Sequence, residues 1–367
     1  MNDYHKRVLI GVELEAYSIG SADYQIGRRL SRPRPGLSED GERFSRDTSI
    51  GSEYNSRPFE TVREASFLLK SGLRKYIRKL YRSHHPDRKH TVPLLVGGWS
   101  DRFAGAHLHI SLAGRTLERR EACSLAWHIH DHIPFLIAIG SNSPIWAKQI
   151  TTQASNRFLR ATDIYFRPVM RGELTSDNTH EMVFSPGRKR KPPTLELRVL
   201  DSNLPQYVVV ALTLVKAIAL RWLKHKGATN RIRHSEYIWA RLDAGVRGIR
   251  CTLPWQGEWI LARQYLDRFL WEYREELQQM DVPPEVYDVL RLIKRGYTGA
   301  RLIHEAALIA RREHPQTWQR RFAKRYSEGL EDLLSGNSLW DFAAALQVNL
   351  PDVSNVWLGR RNAPIGG

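Results

Sequence analysis

The chain has 367 residues, 42% hydrophobic and 26% charged, proportions that suit a folded protein with a full core and exclude wholesale disorder. Lysine and arginine outnumber aspartate and glutamate 56 to 39, and the formal net charge of +17 draws polyanions: a nucleoside triphosphate, a nucleic acid or an acidic protein. Cys123 and Cys251 lie far apart without paired metal spacing, which argues against a disulfide framework or a zinc ribbon.

The N-terminus is charged and runs directly into Val-Leu-Ile-Gly-Val-Glu-Leu-Glu-Ala, with no apolar segment of signal-peptide length. The longest apolar run, Val208 to Leu220, is broken by Lys216 and is too short to span a bilayer. A cytoplasmic protein without a membrane contact is expected. Arg7 to Tyr17 reads as the first strand, Arg28 to Glu42 as an Arg-, Pro-, Gly- and Ser-rich loop, and Ser45 to Arg57 as a second strand ended by Pro58. A helix is predicted from Glu60 to about Tyr81, strands at Thr91–Gly97 and Ala106–Leu112, and a mostly helical stretch over Thr116–Ile139 that turns at Ser141-Asn142-Ser143-Pro144. A loop carrying Arg157, Arg160 and Arg167 then leads to a strand at Thr194–Leu200, and beyond Leu204 nearly every segment has a helical period. The expected division is a catalytic body over 1–225 and a helical C-terminal part over 226–367 packed against it.

Within this body, four stretches place polar residues at every second position: Glu13 and Glu15; Asp47, Ser49 and Glu53; His107 and His109; Glu196 and Arg198. Alternate side chains of a strand share a side, so each set points one way. Taken singly, each has an ordinary explanation. Glu13 and Glu15 suit a solvent-facing edge, and Asp47, Ser49 and Glu53, with Gly51 between them, suit a polar strand face. His107 and His109 suit either a structural pair or a transition-metal pair, and Glu196 and Arg198 a cross-strand ion pair. Gathered on one sheet face, these carboxylates and imidazoles would require cations, which is the chemistry of a multi-metal phosphoryl-transfer site.

These residues also carry a family resemblance. Gly105-Ala-His-Leu-His-Ile-Ser-Leu112 resembles the Gly-x-His-x-His-x-Ser-Leu strand of glutamine synthetase, and Thr194 to Tyr207 resembles its Glu-x-Arg strand with the following Asp, Pro and Tyr. The ordered set of Gly-x-Glu-x-Glu, Asp-x-Ser…Glu, Gly-x-His-x-His, Asn-Ser-Pro and Glu-x-Arg-x-x-Asp, from Gly11 to about Pro205, is similar to the carboxylate–amine ligases of the glutamate–cysteine ligase type and the amidoligases. Gly97-Gly98-Trp99-Ser100 stands where those relatives have Gly-Thr-His-Pro, and the C-terminal helices match no family motif. The resemblance implies an α+β, glutamine synthetase-like fold: a curved antiparallel sheet with helices, its concave side carrying the metals, plus the helical C-terminal part. It also implies an ATP- and magnesium-dependent ligase that forms an amide through an acyl phosphate, using a carboxylate and an amine substrate, each a small molecule or part of a peptide or protein.

By the same resemblance, Glu13, Glu15, Glu53, His107, Glu196 and Asp47 would hold two or more Mg2+ ions, with Mn2+ as a substitute. His109, Ser111 and Arg198 would contact ATP, and Arg198 would offset charge on the transferred group. Arg157 and Arg167 would meet phosphate or carboxylate, and Asp201 would brace Arg198. Two alternatives stand beside this reading. One is a phosphotransferase or amide hydrolase on the same site; the other is a nucleic-acid-binding protein that retains the fold, with contact through the basic surface. The run Arg188-Lys189-Arg190-Lys191 is either a solvated loop or a basic flap near phosphates. His128, His130 and His132 alternate in a helical context, where two-residue spacing spreads them around the axis. The tail from Leu339 to Pro364 resembles the core spacing of a phage-repressor helix-turn-helix, but an ordinary helical pair is the preferred explanation of the pattern. An oligomer is compatible with all of these readings.

Overall fold

The computed structural model describes residues 3–20, 36–37, 41–45, 50, 53–81, 91–187 and 191–359. After a 3-10 turn at Asp3–Arg7, β1 (Val8–Glu15) buries Val8, Ile10, Val12 and Leu14 on one side and turns Glu13 and Glu15 to the other. Then come β2 (Tyr17–Gly20), β3 (Gly36–Leu37), β4 (Arg43–Ser45), β5 (Glu53–Asn55), α1 (Val62–Tyr81), β6 (Thr91–Leu94) and β7 (Gly105–Leu112). Next are α2 (Arg119–His130), α3 (Ile133–Gly140), the small hairpin β8 (Ile145–Trp146) and β9 (Gln149–Ile150), α4 (Asn156–Tyr165), β10 (Met182–Ser185) and β11 (Thr194–Asp201). The remainder is α5 (Pro205–Leu223), α6 (His234–Arg247), the hairpin β12 (Thr252–Trp255) and β13 (Glu258–Leu261), α7 (Ala262–Glu272), α8 (Arg274–Gln279), α9 (Pro284–Lys294), α10 (Gly299–Glu313), α11 (Trp318–Ser335) and α12 (Leu339–Ala345).

The main sheet is antiparallel throughout and runs in the order β10-β11-β7-β1-β5-β4-β3. Its apolar face, with Ala106, Leu108 and Ile110 of β7 and Leu195 and Leu197 of β11, belongs to a core shared with α1, α2, α3 and α5. By length and composition α5 could cross a membrane, yet 83% of its apolar window is buried inside the protein, where it is the central core helix. Its one charged residue in that core, Lys216, is 1% exposed and donates to the carbonyls of Val8 and Glu60.

Burial drives the Lys216 ammonium down from 10.5 to about 7, against the pull of Glu64 and Glu60. The unfolded chain keeps its proton up to the ordinary value, so between about pH 7 and 10.5 it binds more protons than the folded chain at this residue, and stability gains with rising pH. Lys216→Met should flatten that rise by a few kcal/mol, read as the difference between variant and parent melting curves across the same pH window.

Several elements differ from the sequence expectation. The expected strand from Ser45 to Arg57 is instead two strands: Ser45 pairs with Glu53 and Arg43 with Asn55, so the chain reverses between them and alternation cannot carry across. Asp47 and Ser49 lie outside the described residues. Arg157 and Arg160 stand on helix α4, whose N-cap Ser155 accepts from the Phe158 amide, and not in a loop. The stretch over 116–139 is mostly helical as expected, divided into two helices because Pro134 in the first turn of α3 prevents a continuous one. The C-terminal part is not purely helical, because β12 and β13 form a tight hairpin whose turn residues Gln256 and Gly257 have φ of 49° and 90°, the left-handed pair such a turn needs.

The helix-turn-helix reading fails in the described residues. After α12 the chain from Leu346 to Gly359 forms no second helix. Val348, Val353 and Val356 are buried, the carbonyls of Val356 and Trp357 accept from Arg291 and Lys294, and the Gly359 amide donates to Asp267. The pattern of apolar residues that suggested a helical pair comes from an irregular strap held on α7 and α9.

Candidate active site

The polar face of the sheet is assembled by register. Glu13 of β1 lies opposite His107 of β7, Gly11 opposite His109, Glu196 of β11 opposite His109, and Glu15 opposite Glu53 of β5. Four strands thereby contribute to one surface, with β7 at its centre. One carboxylate oxygen each from Glu13 and Glu196 and one ring nitrogen of His107 lie within 4.8 Å of one another. His107 Nδ1 is 3.6 Å from Glu13 Oε2 and 3.4 Å from Glu196 Oε1. On the next turn of alternation, His109 Nδ1 meets Thr194 Oγ1 at 3.1 Å and its Nε2 lies 3.2 Å from Glu13 Oε1, close enough to feel its charge but not aligned for a hydrogen bond. Glu15 accepts from the Gly105 amide, and Glu53 accepts from Asn55.

Electrostatics shape each group. Burial pulls His107 down to about 4, reinforced by the nearby Arg198 charge and resisted by Glu13 and Glu196, so its imidazole is neutral at neutral pH. Burial pushes Glu13 up, but the contacts with His107 and His109 and the charge of Lys191 prevail and hold its carboxyl well below the usual range. Burial likewise opposes ionisation of Glu196, and His109, His107 and Arg198 outweigh it. Arg198 donates to Glu196, and Lys191 Nζ is 3.1 Å from Glu13 Oε1. Of the basic run only Lys191 is among the described residues, and its contact with Glu13 ties that end of the run to the site.

The donor set fits a hard divalent cation. Carboxylate oxygens with one imidazole suit Mg2+ or Mn2+ better than a thiolate-seeking ion. Among the described residues, His107 Nε2 is buried without a hydrogen-bond partner and lies 4.0 Å from Glu15 Oε1.

Beside the acids the face opens into a cavity of about 380 Å3 lined by Glu13, Glu15, Glu53, His107 and Arg198 of the sheet and by Arg157 of α4. Phe103, Ile164, Tyr165, Asn178 and Thr179 complete the lining. Sequence reasoning does not find these wall residues, because they sit on the end of α4 and on connections with no periodic signal. Ser111 shares the polar side of β7 and is buried. Arg167 is not brought to this cavity; it is exposed, and its guanidinium bonds the Asp163 carbonyl.

Arg157 lines the cavity and is anchored to the backbone as well, whereas Asp201 takes a position different from the one expected. The Arg157 guanidinium donates to the carbonyls of Leu200 and Arg198 at 3.1 and 3.2 Å and lies 4.7 Å over the Phe166 ring, so it braces β11 where the register against β7 shifts. Gly105 allows this approach, since a Cβ there would collide with the guanidinium. Asp201 does not brace Arg198. It accepts from the Asn142 amide and the hydroxyls of Ser143 and Ser155, with Arg157 Nη1 3.9 Å away. The three alternating histidines face separate surroundings: His128 the Ser124 and Lys226 carbonyls, His130 Asp131 and Val169, and His132 the hydroxyls of Tyr265, Thr229 and Tyr273.

No protein-family model matches the chain, and no curated protein matches it in sequence. Solved structures do match in fold. The complex of prokaryotic ubiquitin-like protein Pup with its ligase PafA superposes with a TM-score of 0.61 at 12% identity, over 94% of this chain and 80% of that one. Glutamate–cysteine ligase from Francisella tularensis, in complex with AMP, gives 0.55 at 15% identity, over 93% and 92%. A bifunctional glutathione synthetase from Pasteurella multocida gives 0.58 at 11% identity, over 94% of this chain and 56% of that one. The chain thus has the glutamine synthetase-like fold of mixed helices and antiparallel sheet that these carboxylate–amine ligases share.

Proposed function

We propose that this protein is an ATP-dependent carboxylate–amine ligase whose reaction passes through an acyl phosphate. The observation that carries the reading is the meeting of Glu13, His107 and Glu196 from three adjacent strands, with Arg198 beside them, next to a cavity that Glu13, His107 and Arg198 line. Similarity of fold to ligases, one of them solved with AMP and another with ADP, supports it.

On this reading Glu13, His107 and Glu196 hold one divalent cation, and Glu15 and Glu53 with any contribution from Asp47 serve a second. Such ions, when bound, neutralise triphosphate charge and polarise the γ-phosphoryl group. An oxygen of the acid substrate attacks the γ-phosphorus, the bond to the β-phosphate oxygen breaks, and ADP leaves. The amine then attacks the acyl carbon, inorganic phosphate departs, and the nitrogen gives up a proton. Arg198 offsets charge on the group in transfer, while His109 and Ser111 contact phosphate. Arg157, which also lines the cavity, positions the strand carrying Arg198. The catalytic body over 1–225 contains every one of these residues, and the part over 226–367 supports it, as where Trp318 and Phe322 of α11 pack on Trp99.

Incubation with ATP and Mg2+ against a panel of acids and amines, read by mass spectrometry, should reveal a product lighter than its two substrates by one water. ADP release that needs an acid and an amine together marks a ligase. Release with a single acceptor and no amide would assign a phosphotransferase instead.

A further inference from the structure

We propose that the corner where α10 meets α11 is a nucleic-acid-binding surface that grips the phosphodiester backbone without reading base sequence. Arg311 and Arg312 lie in the last turn of α10, and Arg320 and Arg321 occupy the start of α11, all of them exposed; the exposed Lys324 that follows lies 3.9 Å from Glu328. The 2.8 Å ion pair between Arg325 and Glu313 ties the two helix ends together and engages the one acidic residue in 311–325. Gln319 Nε2 reaches the Lys148 carbonyl at 3.4 Å, so the exposed Lys148 in the β8–β9 turn joins the same corner. Ala147 and Lys148 are held left-handed, with φ of 47° and 61°, by donating to the carbonyls of Ser100 and Trp99. The turn that presents Lys148 is therefore pinned at its backbone.

The identity of the partner follows from what the corner contains and lacks. Protein interfaces centre on aromatic or aliphatic anchors, and none of the exposed large apolar side chains among the described residues lies on α10 or α11. A phosphate backbone asks only for cations, and the planar fork of arginine suits phosphate oxygens. The chain as a whole favours that fork, with 43 arginines against 13 lysines. None of these residues lines the cavity beside the acidic cluster, so the surface is separate from the proposed ligase site.

The test is fluorescence anisotropy of the full chain with a short labelled DNA duplex and a labelled single-stranded RNA of arbitrary sequence. Binding should weaken linearly in log–log terms between about 50 and 200 mM salt. The variant Arg311→Glu, Arg312→Glu, Arg320→Glu, Arg321→Glu should bind at least about a hundredfold more weakly at the lower salt, with an unchanged melting temperature and unchanged stabilisation by Mg2+ and a non-hydrolysable ATP analogue. Lysine at the same positions should retain affinity within about tenfold, since charge is kept and only the fork is lost. No binding at low salt, or equal binding by the charge-reversed variant, overturns the proposal. Displacement of the duplex by poly-glutamate more readily than by competitor DNA also overturns it, in favour of an acidic protein partner.

Discussion

Glu13→Gln is expected to remove ATP-dependent amide formation by about 10²–10³-fold or more while leaving the fold intact. The substitution keeps size and shape, and it deletes one charge from the three-residue cluster with His107 and Glu196, all within 4.8 Å. It also leaves His109 facing an amide where a carboxylate stood 3.2 Å away. Two readouts should move together: turnover, and the rise in melting temperature given by Mg2+ with a non-hydrolysable ATP analogue. His107→Ala and Glu196→Gln should share the phenotype, whereas Arg167→Ala, whose guanidinium sits outside the cavity on the Asp163 carbonyl, should change turnover little. Full activity in Glu13→Gln would refute the assignment of the cluster to nucleotide chemistry.

The second large effect concerns stability. Asp201 is 1% exposed and accepts three hydrogen bonds from the 142–155 segment, while the buried Arg157 guanidinium lies 3.9 Å away. Burial raises its pKa, against the pull of Arg157, Asn142, Ser143 and Ser155. Asp201→Ala strips the acceptor from those donors and leaves a buried cation without its counter-ion, a change expected to cost about 3–5 kcal/mol. The melting temperature should fall accordingly, and because Arg157 also holds the carbonyls of Arg198 and Leu200, turnover should drop even in the folded fraction. Gly97→Ala probes the same packing from the other side, since a Cβ there would lie 2.6 Å from the Asp201 Cβ; about 1–3 kcal/mol of destabilisation is expected. A Gly97→Ala protein as stable as its parent would show that this neighbourhood is looser than the geometry implies.

The strands that matter most are the ones whose signal is local and strong. β7 alternates apolar and polar residues over Ala106–Leu112, β11 over Thr194–Val199 and β1 over Val12–Glu15, and their neighbouring pairing follows once one face must be buried. β5 is different. Its three residues are too few to reveal a period, and grouping Asp47 with Glu53 requires an uninterrupted strand where the chain in fact turns back on itself. Positions set by long-range packing also leave no mark in the chain. Arg157 reads as one more arginine among many until α4 lies across the end of β11, and the cavity wall from Phe103 to Thr179 comes from segments far apart in sequence. The resemblance in strand motifs carries the floor of the site, and its departure at Gly97-Gly98-Trp99-Ser100 falls on the loop that α11 covers through Trp318 and Phe322.

The floor of the site is woven into interior strands, whereas its far wall is hung from a helix end and open loops. Spacing among Glu13, His107 and Glu196 is therefore dictated by the ladder between β1, β7 and β11, and no hinge is available to adjust it. On the proposed ligase reading, redesign of substrate preference belongs at Ile164, Tyr165, Asn178 and Thr179, away from the Glu13–His107–Glu196 cluster, and selection for a new acid or amine should enrich changes at those positions first.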